Sequence, residues 1–74
     1  MNRNGAAVID LQKAIELDPA YYMAYYQLGV SYEKIKDERS ALVAYEKFLS
    51  MEPDEKELVD EIQEKVVKLG EKYY

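Results

Sequence analysis

Apolar residues recur along the chain at the spacing of an α-helix, in four segments separated by short polar turns. The second segment illustrates the period with Tyr21, Tyr25, Leu28, Tyr32 and Ile35. These positions lie three or four residues apart, so they share one face of a helix and are assigned to the core. The other three segments keep the same spacing. The pattern therefore predicts an all-α fold of four helices, and no strand is expected.

Prolines and acidic residues mark the turns between these segments. Pro19 and Pro53 end the first and third helices, because the residue before a proline avoids the α region. Asp37 follows the second helix and is predicted to cap the third. Since all of the turns are short, successive helices should lie antiparallel.

The chain also repeats itself at a fixed distance of 34 residues. Segment 7–20 aligns with segment 41–54, which places Lys13 on Lys47 and Pro19 on Pro53. The second and fourth helices align at the same distance. A fixed period across two unlike segments is typical of a solenoid built from stacked helix pairs.

One stretch of the chain, residues 22–55, carries a complete repeat pattern. Its signature positions are Tyr25, Leu28, Gly29, Tyr32, Ala41, Tyr45 and Pro53. This pattern resembles the tetratricopeptide repeat (TPR) family, although Phe48 replaces a usual small residue and Lys36 stands where a turn glycine is frequent. The resemblance implies a single TPR-like α-solenoid domain. Its parts are the second helix of a truncated repeat at residues 5–17, a complete repeat at residues 20–52 and a capping helix at residues 54–73.

Gly29 has a physical role that does not depend on the family. A glycine in a helix interior costs about 1 kcal/mol of helix propensity against alanine. We expect it because a Cβ at this position would push two crossing helices apart. Gln63 holds the equivalent place in the last helix. A bulky polar group there indicates that no further helix packs tightly beyond it, as expected of a cap.

Composition narrows the function. The chain has 74 residues, a net charge of −5, and neither cysteine nor histidine. The usual metal and haem ligands are therefore missing, so no metal or cofactor is expected. Serines without a neighbouring base give no activated nucleophile, so the chain is predicted not to be an enzyme.

The same composition bears on partners and location. Net negative charge argues against nucleic acid, which requires clustered lysine and arginine. No apolar run reaches the roughly 20 residues that span a membrane, and no signal peptide is recognisable. A cytoplasmic location is the default expectation.

The resemblance also implies a binding surface, because the first helix of each TPR lines a groove that receives peptides or helices. Carried over residue by residue, the groove positions are Met23, Tyr26, Val30, Glu33, Lys34, Glu57, Asp60, Glu64 and Lys68. The family's carboxylate clamp is absent, since Tyr26 and Val30 replace its lysine and asparagine. An apolar patch beside a row of acids suits a protein or peptide ligand with apolar anchors and lysine or arginine. The alternative is that Tyr22, Met23 and Tyr26 only pack against the neighbouring helix.

The first helix lacks a partner within its own repeat, because the chain opens at the turn before it. Its residues Ala7, Leu11 and Ala14 should leave an apolar face uncovered, and such faces mark association surfaces. We therefore predict a homo-oligomer, most simply a two-fold dimer. Two alternatives stay open: a structural homo-oligomerisation module, or a piece excised from a longer array, in either case without its own ligand.

Overall fold

The computed structural model describes the backbone of residues 4–73 and the side chains of residues 7–73. Its helices are α1 (Asn4–Leu17), α2 (Tyr22–Lys34), α3 (Glu38–Ser50) and α4 (Lys56–Tyr73). Within this described part there is no strand. The predicted all-α architecture of stacked helix pairs is confirmed. The division into a truncated repeat, a complete repeat and a capping helix stays a prediction.

The helix ends follow the local signals closely, with two differences. The backbone N–H of Ser40 donates to Asp37 Oδ1 at 3.3 Å, which confirms the predicted cap of α3. However, α2 begins at Tyr22 and α4 at Lys56, each two residues later than predicted. Tyr21 lies just before α2 and is 45% exposed, so the assignment of Tyr21 to the core was wrong.

Side-chain contacts fix the direction of neighbouring helices. The Tyr22 ring at the start of α2 lies 5.9 Å from the Phe48 ring near the end of α3. Lys72 Nζ near the end of α4 donates to Glu38 Oε1 at the start of α3, at 2.6 Å. These pairs show that α2 and α3, and α3 and α4, are antiparallel, as predicted. Each helix packs on the next one in the chain.

Helix α3 supplies more of the core than any other helix. The largest fully buried side chains are Leu42, Tyr45 and Phe48 of α3 and Ile62 of α4. Burying one large apolar side chain stabilises a fold by roughly 1.5–3 kcal/mol. A smaller cluster of Val8, Leu28 and Ala44 ties α1 to α2 and α3. Among the described side chains, α1 contributes one buried hydrophobic residue, Val8, whereas α3 contributes five.

The predicted role of Gly29 is confirmed by its surroundings. A Cβ added there would lie only 2.5 Å from Cδ1 of the fully buried Tyr45 ring. The glycine thus lets the α3 tyrosine lie directly against the α2 backbone.

Two non-glycine residues in the turns adopt the left-handed conformation. Lys36, after α2, has φ 68°, and Glu52, after α3, has φ 51°. This region favours glycine because a Cβ costs energy there. The observation explains why the resembled family often places glycine at the position of Lys36.

Candidate functional site

An open groove of about 460 Å³ lies between helices α1 and α2. We call it the α1/α2 groove, and its lining residues are Ala7, Asp10, Leu11, Tyr26, Gln27, Val30, Ser31 and Lys34. It contains three of the predicted ligand-binding residues, Tyr26, Val30 and Lys34. It also contains Ala7 and Leu11, which were predicted for self-association. The structure therefore brings two separately predicted surfaces together in one place.

The helical period explains this groove. Tyr26, Val30 and Lys34 are four residues apart, so they share one face of α2. Ala7 and Leu11 share a face of α1 in the same way. The walls are mainly apolar, and each helix adds one exposed charged side chain, Asp10 from α1 and Lys34 from α2. Such a surface can hold an apolar side chain and orient it with one charge of each sign.

The tyrosines of α2 have a structural role as well. The Tyr22 and Tyr26 rings each lie 5.9 Å from the Phe48 ring and are half-buried against the main core. Both rings therefore pack against the neighbouring helix α3, whether or not they also contact a ligand. Tyr26 in addition lines the α1/α2 groove, whereas Met23 is half-buried and lines none of the grooves described here.

Glu33, another predicted ligand-binding residue, is engaged inside the molecule. Its Oε1 accepts a hydrogen bond from the Tyr45 hydroxyl at 2.5 Å and pairs with Lys65 Nζ at 2.9 Å. Lys65 Nζ also lies 5.5 Å from the Tyr45 ring centroid. Burial, together with the bond to Glu33, raises the pKa of Tyr45 above its ordinary value. These three side chains link α2, α3 and α4.

This link was not predicted from the sequence, although the sequence contains a weak signal for it. Glu33 and Lys65 are separated by nearly one repeat length, which places them on corresponding helices that a solenoid sets side by side. Their charges are opposite, so a pair between these helices could have been anticipated.

Exposed residues along one side of α4 form a second, shallow and open surface. We call it the α4 groove, and it is lined by Asp60, Gln63, Glu64, Val67, Lys68 and Glu71. Three of these residues are acidic and one is basic. Val67 is 60% exposed among them. Asp60, Glu64 and Lys68 thus share this surface, whereas the exposed Glu57 lies outside it.

The predicted binding surface is therefore divided. The α1/α2 groove and the α4 groove share no lining residue. The Glu33–Lys65 ion pair joins α2, which carries part of the α1/α2 groove, to α4, which carries the α4 groove. The role of each predicted residue in binding stays a prediction.

A third groove, of about 480 Å³, was not predicted at all. We call it the α2/α3 groove, and its lining residues are Tyr25, Leu28, Tyr32, Arg39, Ser40, Val43, Ala44 and Lys47. It was missed because Tyr25, Leu28 and Tyr32 were assigned wholly to the core. The available signal was the spacing of Arg39, Val43 and Lys47, which places an apolar residue between two cations on one face of α3.

The free end of α4 is held against the start of α3 by polar contacts. Glu38 Oε1 accepts from Lys72 Nζ at 2.6 Å and from the Tyr73 hydroxyl at 3.0 Å. The hydrogen bond from Lys72 lowers the pKa of Glu38, and the bond to Glu38 raises the pKa of Tyr73. Arg39 lies 5.9 Å from the Tyr73 ring centroid. These contacts fix the orientation of the α4 groove relative to α3.

Two further properties of the described residues concern a metal site and a membrane span. Among residues 4–73, no group of three or more acidic side chains is arranged to hold a metal ion. None of the helices in that range is both long and apolar enough to cross a membrane.

The stacked helix pairs and their open grooves define a helical-repeat protein of the α-solenoid class. A family model described as a TPR repeat matches residues 1–36, and a model described as a tetratricopeptide repeat matches residues 23–55. The chain belongs to the tetratricopeptide repeat family. Such repeats generally mediate protein–protein interaction and are typically non-enzymatic scaffolds. No curated protein and no solved structure gave a significant match.

Proposed function

We propose that this chain is a non-catalytic scaffold that binds a peptide or a helix through the α1/α2 groove and the α4 groove. The observation that carries the proposal is the α1/α2 groove itself. There Tyr26, Val30 and Leu11 form apolar walls around an open volume of about 460 Å³. Apolar grooves between helices are a recurring way to receive amphipathic segments. A cytoplasmic location belongs to the same proposal.

The charges of the two grooves favour a ligand that combines apolar anchors with basic residues. An apolar side chain of the ligand would enter beside Tyr26 and Val30. Its lysine or arginine would lie against Asp60 and Glu64 of the α4 groove, in a molecule of net charge −5. Exposed charges of this kind mainly accelerate association and select the partner. Glu33 contributes by holding α2 and α4 together, since its carboxylate already pairs with Lys65.

A titration with a synthetic helical peptide of alternating leucine and lysine tests this proposal. Amide shifts in a ¹⁵N spectrum should cluster at Tyr26, Val30 and Glu64. Glu64→Lys should weaken binding roughly tenfold, because it replaces attraction by repulsion. Glu16→Lys changes the net charge equally at an exposed α1 position and should leave the affinity nearly unchanged. Equal weakening by both variants would show that only net charge matters, and would contradict the proposal.

A second candidate function is self-association through α1. Its support is a difference between equivalent positions. Ala7, Leu11 and Ala14 are half-buried, whereas the residues 34 positions later, Ala41, Tyr45 and Phe48, are all 0% exposed. Contact of this face with a second copy would cover the exposed part. A two-fold dimer is the simplest arrangement.

Sedimentation velocity over a micromolar to millimolar series tests the second candidate. The parent chain should gain mass with concentration, and Leu11→Asp should shift it towards the monomer. Leu17→Asp is the matched control, since Leu17 lies on the same helix but outside the face and is largely exposed. A parent that stays monomeric throughout the series would overturn this candidate.

A further inference from the structure

Two exposed faces, one on α3 and one on α4, carry complementary charge patterns. On α3, Arg39, Val43 and Lys47 form a basic stripe along the α2/α3 groove. On α4, Glu64, Val67 and Glu71 form an acidic stripe along the α4 groove. We propose that the acidic stripe of one copy docks on the α2/α3 groove of a second copy. This inference rests on the proposed function, because it names the polypeptide that the α4 groove binds.

The spacing of the two stripes agrees. Arg39 and Lys47 are eight residues apart, and Glu64 and Glu71 are seven. At a rise of about 1.5 Å per residue, the charges lie about 12 Å and about 10.5 Å apart along their helices. A valine lies near the middle of each stripe. When two such helices align, both ion pairs and the valine contact can form together.

Both faces offer exposed apolar surface for this contact. Val43 is 62% exposed and Val67 is 60% exposed, so each offers surface that water now covers. The α2/α3 groove adds Tyr25, Leu28 and Tyr32 as apolar walls around its volume of about 480 Å³. Removing these surfaces from water together is favourable.

The charges favour this contact even though two copies of an acidic chain repel each other overall. The residues lining the α2/α3 groove include two cations and no acid. Those lining the α4 groove include three acids and one cation, Lys68. Arg39 also lies near the Tyr73 ring. Because a guanidinium can stack on a ring and still bind a carboxylate through its edge, this contact is compatible with docking.

The two faces differ, so the contact is heterologous and each copy keeps one face free. Such contacts either close into rings or continue as open chains. Head-to-tail docking therefore predicts masses that grow beyond a dimer as concentration rises. Contact through the α1 face alone predicts a closed dimer.

A charge-swap experiment tests the docking, with Leu11→Asp in every sample to suppress the α1 contact. Two double variants are made in that background, Arg39→Glu/Lys47→Glu and Glu64→Lys/Glu71→Lys. Each reverses the charge of one stripe, so each should be monomeric, with association weakened by roughly tenfold or more. The 1:1 mixture should regain concentration-dependent mass in sedimentation velocity, because opposite stripes face each other again. The regained mass should fall in about 0.5 M salt, where the Debye length is only a few ångströms.

Controls separate docking from general charge effects. The control for the α3 double variant is Lys13→Glu/Lys56→Glu. It has the same net charge, but its substitutions are at exposed positions outside the α2/α3 groove, so it should associate like its Leu11→Asp parent. Lys68→Glu removes the opposing cation and should strengthen association a few-fold. Circular dichroism confirms that each variant is folded.

The outcomes are distinct. A Leu11→Asp parent that is monomeric at every concentration, or a mixture that stays monomeric, overturns the docking. If the leucine–lysine peptide still shifts Glu64 in that case, the proposed binding function survives and only the identity of its partner is wrong. If the peptide fails while the mixture associates, the α4 groove binds a second copy of the chain, and the proposed class of basic peptide ligand is wrong.

Discussion

Helices α1 and α3 align with each other at the 34-residue period of the sequence, yet they have different environments. Three positions of α3, Ala41, Tyr45 and Phe48, are completely buried. Their equivalents in α1 are half-exposed. The apolar pattern is similar in both helices, so the difference comes from their neighbours. Helix α3 packs on α2 and on α4, whereas α1 packs mainly on α2.

This difference shows how a repeat protein separates stability from binding. A helix with neighbours on both sides forms core, and most of its large apolar residues are unavailable to other molecules. A helix with one neighbour keeps part of the same face open, which here produces the α1/α2 groove. Stability in such arrays is approximately a sum over repeats and their interfaces, so the incompletely covered helix is also the least stable part.

The largest expected effect is the removal of the central ring of α3. Phe48→Ala empties a fully buried site that contacts Tyr22 and Tyr26, and should cost roughly 3–5 kcal/mol. That is comparable with the whole stability of a domain this small. Circular dichroism should therefore show largely unfolded protein at 25 °C. Val43→Ala, exposed on the same helix, should change stability by less than about 0.5 kcal/mol. A folded Phe48→Ala chain would mean that α3 is not the centre of the core.

A smaller loss is expected where α2 meets α3. Gly29→Ala forces a methyl group into the Tyr45 ring and should cost roughly 1–3 kcal/mol, despite a gain in helix propensity. Urea denaturation measures it. A stabilising Gly29→Ala would show that the two helices are further apart than described.

The Tyr45 hydroxyl gives a pH-dependent effect. Tyr45→Phe removes the bond to Glu33 and should cost about 1 kcal/mol at neutral pH. The folded pKa of Tyr45 is raised above the value of 10.0 expected for the unfolded chain. Above about pH 10 the unfolded chain therefore releases this proton and the folded chain keeps it, so stability falls as pH rises. The free energy of unfolding of Tyr45→Phe should fall less steeply between pH 9 and pH 11. Identical slopes for the two chains would exclude the buried hydroxyl as the cause.

Truncating an apolar side chain of α1 should cost less stability than truncating a buried one of α3. Leu11→Ala removes a half-exposed side chain and should cost about 1 kcal/mol in urea denaturation of the monomer. Comparing this loss with that of Phe48→Ala measures the difference between the two helices directly. Losses of equal size would remove the distinction between a covered and an open half-repeat.

The smallest effect is a gain in a turn. Lys36→Gly relieves the left-handed backbone after α2 and should stabilise by roughly 0.5 kcal/mol, after allowing for the greater freedom of glycine in the unfolded chain. Lys56→Gly at the start of α4 should not stabilise. Thermal denaturation distinguishes the two, and destabilisation by Lys36→Gly would show that the lysine side chain contributes more than the strain costs.

Local chemistry made most of the fold predictable. Prolines fixed the ends of α1 and α3, Asp37 marked the start of α3, and Gly29 identified a close crossing. Each of these depends on a residue and its immediate backbone. The fixed repeat length then placed the helices side by side without further information.

The candidate site was only partly predictable, because the helical period shows which residues share a face but not which neighbour they meet. Tyr26 and Val30 were correctly placed together on one face of α2. That Tyr26 also packs on Phe48, and that Glu33 is engaged by Tyr45 and Lys65, depends on the rotation of one helix against another. The α2/α3 groove depends on how far two helices diverge, which no spacing within one helix specifies.

Native-state hydrogen exchange, at a concentration at which sedimentation velocity shows a monomer, tests the central comparison most directly. Amides of α3 should exchange only through global unfolding, and amides of α1 should exchange much faster through local opening. Equal protection of α1 and α3 under these conditions would contradict the account, because it would mean that α1 is as fully supported by the fold as α3.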